Sequence, residues 1–169
     1  MASSRNALRE SELFEGLTPE QADRLESLAA VVRAPAGAEL FRSGDPASHL
    51  YVVLDGAVEL HMTVPEWWGI DTHRRKVSTA GAGHVVGWSA MAQPAAYSLS
   101  AVCREKAILA RFNAEDIAEA TASDPHMGQT LLSRILRIVS GRFDLLAEAM
   151  LAQRAVQASQ SASQTAHSG

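Results

Sequence analysis

The side chains best equipped for chemistry are six histidines, one cysteine and three tryptophans, and their spacing decides what they can do. His49, His61, His73, His84, His126 and His167 include no close pair at the spacing that metal ligation uses. Cys103 has no second cysteine to pair with. Haem ligation by His84 or Cys103 has no local support, and a lone cysteine behaves first as a small buried hydrophobe. No nucleophile elbow, P-loop or dinucleotide fingerprint occurs, so an enzyme is not expected. Trp88 can stack on a planar base or cap a pocket. Equally, its large apolar area lets it fill a pocket with its own side chain. Trp67 and Trp68, in Pro65-Glu66-Trp67-Trp68-Gly69, either form a patch for a partner or fold down onto the protein. Arg74-Arg75-Lys76 can meet an acidic partner or blunt an exposed strand edge.

These residues are carried on a chain of 169 residues, 47% hydrophobic and 20% charged, with a formal net charge of −4. That is one domain with enough apolar content for a well-filled core, and it excludes global disorder and a disulfide-stapled fold. An acidic balance gives no field for holding duplex DNA, which takes many Lys and Arg on phosphates. The unpaired cysteine and the lack of a signal-like opening make the cytoplasm the expected location. From Val77 to Cys103 there is no Asp, Glu, Lys or Arg. This stretch is not expected to span a membrane, because Gly81, Gly83, His84, Gly87, Gln93 and Pro94 interrupt the roughly 18 to 20 apolar residues that a bilayer helix needs.

Leu17-Thr18-Pro19-Glu20-Gln21 reads as a helix start, with Thr18 as N-cap, Pro19 in the first turn and Gln21 completing a capping box. Ala22, Leu25, Leu28 and Ala29 form its apolar stripe, and Leu13 and Phe14 are expected in a short preceding helix. From Val31, β-compatible runs alternate with the turn signals Pro35-Ala36-Gly37, Ser43-Gly44-Asp45-Pro46, Asp55-Gly56 and Ala80-Gly81-Ala82-Gly83. Strands are expected at His49–Leu54 and Ala57–Met62, joined by an Asp55-Gly56 hairpin, and at Arg74–Thr79, Tyr97–Cys103 and Ala107–Phe112. Asn113 caps a helix over Ala114–Ala122, and Asp124-Pro125 opens a long one. In that helix Leu132, Leu136, Val139, Phe143, Leu146 and Met150 keep heptad spacing, with a second row, Leu131, Ile135, Ile138, Leu145 and Ala149, beside it. One row is expected to dock on the β-domain and the other to pair with a second copy. The alternative is that both rows bury in a single core.

The turn sequences in this order resemble the cyclic nucleotide-binding domain of the Crp/Fnr regulators and of protein kinase A regulatory subunits. The resemblance rests on Leu13-Phe14-Glu15-Gly16-Leu17-Thr18, on Ala34-Pro35-Ala36-Gly37-Ala38-Glu39-Leu40-Phe41-Arg42-Ser43-Gly44-Asp45, on Leu50-Tyr51-Val52-Val53-Leu54-Asp55-Gly56-Ala57-Val58, and on Gly81-Ala82-Gly83-His84-Val85-Val86-Gly87. It implies a mainly β fold with flanking helices: a double-stranded β-helix (jelly-roll) barrel with short N-terminal helices and a long C-terminal helix. Residues 1–154 would form this domain, with N-terminal helices at 12–30, the barrel at 31–112 and C-terminal helices at 113–154. Residues 155–169, rich in Ser, Gln and Ala and free of Asp, Glu, Lys and Arg, are expected to be disordered.

The same resemblance implies a phosphate-binding cassette after Gly87, with a Glu for the ribose hydroxyl and, some ten residues on, an Arg for the cyclic phosphate. Here the Glu position is Trp88 and the Arg position is Tyr97, or Ala96 if the loop shifts by one. Nothing in the uncharged stretch supplies a positive charge. A hydrogen bond to a charged group contributes ~1.5–3 kcal/mol. Losing two removes roughly 3–6 kcal/mol, or about 10²- to 10⁴-fold in affinity, which takes a micromolar site to about 0.1–10 mM. The expected pocket is Val86, Gly87, Trp88, Ser89, Ala90, Met91, Tyr97 and Ser98, still able to hold a cyclic nucleotide or other small anion through backbone N–H groups and hydroxyls. Crp-type transcription factors carry a winged helix-turn-helix after the long helix; here only the Ser/Gln/Ala tail follows, so direct DNA binding is not expected. Three roles remain open: a sensor or adaptor with an altered pocket, a partner-binding module whose pocket Trp88 fills, and a true cyclic AMP or cyclic GMP regulator working with a separate DNA-binding partner.

Overall fold

Runs of β-branched and aromatic residues bounded by turns pair into two four-stranded antiparallel sheets in the computed structural model, which describes residues 2–63, 74–92 and 94–143. One sheet has the order β1 (Ala30–Ala34), β8 (Ala107–Asn113), β3 (His49–Asp55), β6 (Val85–Val86). The other has the order β2 (Glu39–Phe41), β7 (Ser100–Cys103), β4 (Val58–Thr63), β5 (Arg74–Ala80). Most connections cross from one sheet to the other, which is the jelly-roll path, and the flanking helices complete the expected mainly β fold. The hydrogen bonding is that of two separate sheets; no closed barrel forms among the described residues.

The central strand β3 is buried on both faces, and its alternation divides the core. Leu50, Val52 and Leu54 face a cluster with the helices, built from Leu13, Phe14, Leu25, Phe112, Ile117 and Met127. Tyr51 and Val53 face a second cluster with Val58, Leu60, Val86, Tyr97 and Leu109.

Asp55-Gly56 does not make a hairpin. The strands on either side form where expected, yet they belong to different sheets, so this turn is a corner. Gly56 takes a positive φ of 83°, and a Cβ there would stand 2.6 Å from the carbonyl oxygen of Lys106. The glycine is needed both for its backbone angle and for the close passage of the neighbouring chain.

Helix α1 (Ala2–Arg9) lies upstream of the expected 12–30 helical region. Leu13 and Phe14 follow it in a run of turns, buried but not helical. Helix α2 (Pro19–Ser27) has the capping box in full: Gln21 N–H donates to Thr18 Oγ1 at 3.3 Å, and Thr18 N–H to Gln21 Oε1 at 3.1 Å. Helix α3 (Ala114–Ser123) starts at Asn113, whose Oδ1 accepts from Glu115 N–H at 2.8 Å. Helix α4 covers 125–143, with Asp124 Oδ1 accepting from Met127 N–H at 3.0 Å. On α4 the row Leu131, Ile135, Ile138 is buried, whereas Leu132, Leu136 and Phe143 are 66%, 66% and 68% exposed. Val139 is half-buried against the core. The alternative in which both rows enter one core therefore does not hold over the described residues. Leu145, Leu146, Ala149, Met150, the Trp67-Trp68 segment and the tail lie outside the described residues.

Candidate functional site

β6 delivers the chain to Gly87, where it turns sharply into a single 3-10 turn, Trp88–Met91. The turn is possible because Gly87 has φ 79° and no side chain; a Cβ would meet His49 O at 2.8 Å, the Phe41 ring at 3.3 Å and the Tyr97 ring at 3.4 Å. The chain then returns along the Pro46–Ala47 turn, with Ala47 N–H donating to Ala95 O at 2.9 Å, and reaches Tyr97 and Ser98. Val86, Gly87, Trp88, Ser89, Tyr97 and Ser98 are thus brought to one place. Tyr97 lies ahead of β7 rather than inside it, because the expected strand begins only at Ser100.

Tyr97 points into the core. Its ring stacks on Phe41 with centroids 3.9 Å apart and planes 13° apart. Its hydroxyl donates to His49 O at 2.9 Å and accepts from His49 N–H at 3.1 Å. Burial pushes the phenol pKa up, which keeps it a neutral donor. Trp88 is half-buried and packs against both core clusters. The space left among Phe41, Leu60, Gly87, Trp88, Ser89 and Ser98 is about 10 Å³. That is roughly room for one water, whereas small-molecule pockets run to ~300–1,000 Å³.

Several polar groups of the turn bond one another or Ser98. Ala90 N–H donates to Gly87 O at 3.0 Å and Ala92 N–H to Ser89 O at 3.1 Å. Ser98 N–H donates to Ser89 Oγ at 3.4 Å, and the Ser89 and Ser98 hydroxyls lie 3.4 Å apart. Met91 turns the other way, toward the helical cluster with Leu13, Leu50 and Leu131.

A positive charge does reach this site, from outside the uncharged stretch. Arg142 on α4 lays its guanidinium over the Trp88 ring, 4.9 Å from guanidinium carbon to ring centroid. It also donates to Val85 O at 2.7 Å and lies 3.5 Å from Glu12 Oε1. Glu12 Oε1 in turn accepts from Val85 N–H at 2.6 Å. The side chain is only 16% exposed, and burial lowers its pKa while the Glu12 carboxylate acts in the opposite direction. The sequence carried a signal for this residue: positions 131, 135, 138 and 142 continue the buried row at heptad spacing, so a charge at 142 stands where an apolar residue belongs.

The other constellations resolve as framework. Arg74-Arg75-Lys76 opens β5, an edge strand, with Arg74 paired to Glu39 and Lys76 Nζ 3.4 Å from Glu59. Cys103 is buried, and burial raises its thiol pKa. No group of three His, Cys, Asp or Glu is placed to share a metal ion, and no helix is long and apolar enough to cross a membrane, among the described residues. A cavity of about 690 Å³ lies away from the turn after β6, between α1, α2 and β1. Several of its rim charges pair with one another, Arg5 with Glu26 at 2.5 Å and Arg9 with Asp23.

Comparison with known proteins accounts for this geometry. The family model of the cyclic nucleotide-binding domain matches residues 31–124. The chain is 30% identical over 142 residues to the cyclic AMP receptor protein of Thermus thermophilus, covering 82% of this chain and 63% of that relative's length. Among solved structures it is similar to the N-terminal domain of a transcriptional regulator from Streptomyces coelicolor A3(2), with a TM-score of 0.66, 26% identity, and 82% and 95% of the two chains covered. A cyclic nucleotide-binding domain from Methylobacillus flagellatus KT shares the fold with a TM-score of 0.75 at 22% identity, covering 90% and 83%. The jelly-roll, the cassette turn after Gly87 and these likenesses together place the chain in the cyclic nucleotide-binding domain family.

Proposed function

We propose that this chain is a regulatory, non-catalytic domain whose cassette is closed by its own side chains, and that it acts by protein contact through α4, as a homodimer, rather than by taking up a cyclic nucleotide. The observation that carries this reading is Tyr97. At the position of the family's phosphate-binding arginine it stacks inward on Phe41, and the space beside Phe41, Gly87, Trp88 and Ser89 is about 10 Å³. Trp88, at the position of the ribose-binding glutamate, packs over the remainder. The exposed row Leu132, Leu136 and Phe143 supplies an apolar face for a second copy. The acidic net charge leaves any DNA contact to a partner. A buried, unpaired Cys103 suits the reducing cytoplasm in which we place the protein.

The relative from Thermus thermophilus is named for cyclic AMP, which makes that nucleotide the first to test. Thermal unfolding is measured with cyclic AMP and cyclic GMP at millimolar concentration, for the wild type and for Trp88→Ala. A ligand at 100 times its Kd adds about 2.7 kcal/mol of stability, so binding in the tens of micromolar is visible. No nucleotide shift, together with a lower melting temperature for Trp88→Ala, is the expected result. A clear upward shift of the wild type with either nucleotide overturns the closed-site reading and restores a nucleotide sensor.

A further inference from the structure

Where α2 hands the chain to β1 the side chains are small: Ser27, Ala29 and Ala30. They leave open the cavity of about 690 Å³ between α1, α2 and β1. That volume lies within the ~300–1,000 Å³ that small-molecule sites occupy. Its apolar lining comes from three elements and the passage between two of them. Leu8 of α1 and Leu54 of β3 are core residues that reach the cavity from within, and Ala29 and Val31 continue the surface outward. Val31 is 58% exposed, apolar area that no side chain of this chain covers among the described residues. Arg33, two positions further along β1, stands on the same face of the strand as Val31 and lines the cavity with it.

The charges around this space do not cancel. Glu26, with its side chain only 9% exposed, accepts from Arg9 Nε at 2.7 Å and meets Arg5 Nε at 2.5 Å, and Arg9 also pairs with Asp23. Two guanidinia and two carboxylates of the helical wall are thereby matched. Arg33 faces them from β1 and is paired with no carboxylate among the described residues. The lining therefore holds three guanidinia against two carboxylates, and the unmatched one sits beside the apolar surface of Val31.

We propose that this cavity is a binding site for a small organic anion with an apolar body, which lies along Leu8, Leu54 and Val31 while its carboxylate pairs with Arg33. Burial of the body supplies a sign-independent attraction, and the charge-assisted hydrogen bond to the guanidinium selects the anion. A neutral molecule of the same shape keeps only the first contribution, and an ammonium is repelled by Arg33. The site is separate from the turn after β6: Leu54 lies near the end of β3, whereas His49, whose carbonyl crowds Gly87, begins that strand. It therefore does not depend on whether the pocket beside Trp88 is closed.

The test titrates the full chain, labelled with nitrogen-15, with octanoate, octanol and octylamine at millimolar concentration and physiological salt, and follows the amide resonances. Octanoate is expected to shift Leu8, Ala29, Val31 and Leu54 along one saturable curve, with octanol and octylamine binding more weakly. Arg33→Gln weakens octanoate by about fivefold or more and leaves octanol unchanged, while Arg33→Lys, which keeps the charge, retains most of the binding. Val31→Trp fills the space and abolishes the shifts. Both positions are exposed, so these variants are expected to keep the melting temperature of the wild type. Absence of a saturable shift at the four residues, octanoate binding that is indifferent to Arg33→Gln, or octylamine binding as well as octanoate overturns the proposal. Shifts confined to Leu132, Leu136 and Phe143 would put the octanoate on the exposed row of α4 and overturn it equally.

Discussion

On the proposed reading Tyr97 stands where the family has an arginine, and the two side chains have opposite demands. A guanidinium that pairs with a phosphate must sit at an open, polar face, whereas a phenol is stable in a core once its hydroxyl has partners. Both Tyr97 partners come from the His49 backbone at the start of β3, so the residue pins the cassette return to the central sheet. Tyr97→Phe keeps the stack on Phe41 and removes only the hydroxyl. It should lower the unfolding free energy in urea by about 1–3 kcal/mol, the usual cost of stranding buried polar groups, and it should create no nucleotide binding. A neutral result would mean that stacking alone holds the loop. That a tyrosine stands ten residues after Gly87 is plain in the sequence, but its inward orientation is not. A tyrosine in a loop can turn either way, and only the proximity of Phe41, from a strand more than fifty residues earlier, decides it. Arg142 was missed for a related reason: the row Leu131, Ile135, Ile138 carries position 142 inward, but nothing local in the sequence says that Trp88, Val85 and Glu12 wait there.

At the scale of elements, the helix starts were the most legible features because each depends on residues a few positions apart. Thr18 with Gln21, Asn113 with Glu115 and Asp124 with Met127 all form the local bonds that their spacing implies. The β connections were less so, since Asp55-Gly56 specifies a backbone angle but not which sheet the next strand joins. Helix α1 gave little signal, having few apolar residues beyond Ala7 and Leu8 to mark a face. The Asp124 cap carries a pH dependence whose sign can be worked out. The Met127 N–H bond, followed by the one from Gln21 Nε2 at 3.0 Å, lowers the Asp124 pKa below its usual value near 3.8. A carboxylate with a lowered folded-state pKa stabilises the fold above the unfolded-state pKa and loses that contribution as pH falls through the folded value. Asp124→Ala should therefore lower the melting temperature by a few degrees at pH 7 and by progressively less below about pH 4. Asp124→Asn, which keeps an acceptor for Met127 N–H, should recover much of the loss at pH 7. A difference that stays constant from pH 7 to pH 3 would assign the effect to packing instead.

At the scale of the molecule, the two rows of α4 have been separated by the fold, and the exposed row is a surface whose proposed pairing can be tested by symmetry. Leu131, Ile135 and Ile138 are buried within the chain, which leaves Leu132, Leu136 and Phe143 with their apolar surface in water. Pairing α4 with its symmetry mate would place the same residues on both sides, so any substitution in the row enters the interface twice. Burying a leucine side chain contributes ~1.5–3 kcal/mol, so Leu136→Glu should cost a dimer about 3–6 kcal/mol. That corresponds to a rise in Kd of about 10²- to 10⁴-fold, which sedimentation equilibrium reads directly. Because Leu136 points away from the core, the variant should remain a folded monomer with its sheets intact, and the melting temperature should depend on protein concentration for the wild type but not for the variant. Wild-type protein that remains a monomer at 100 µM would show instead that this face is kept for a different protein.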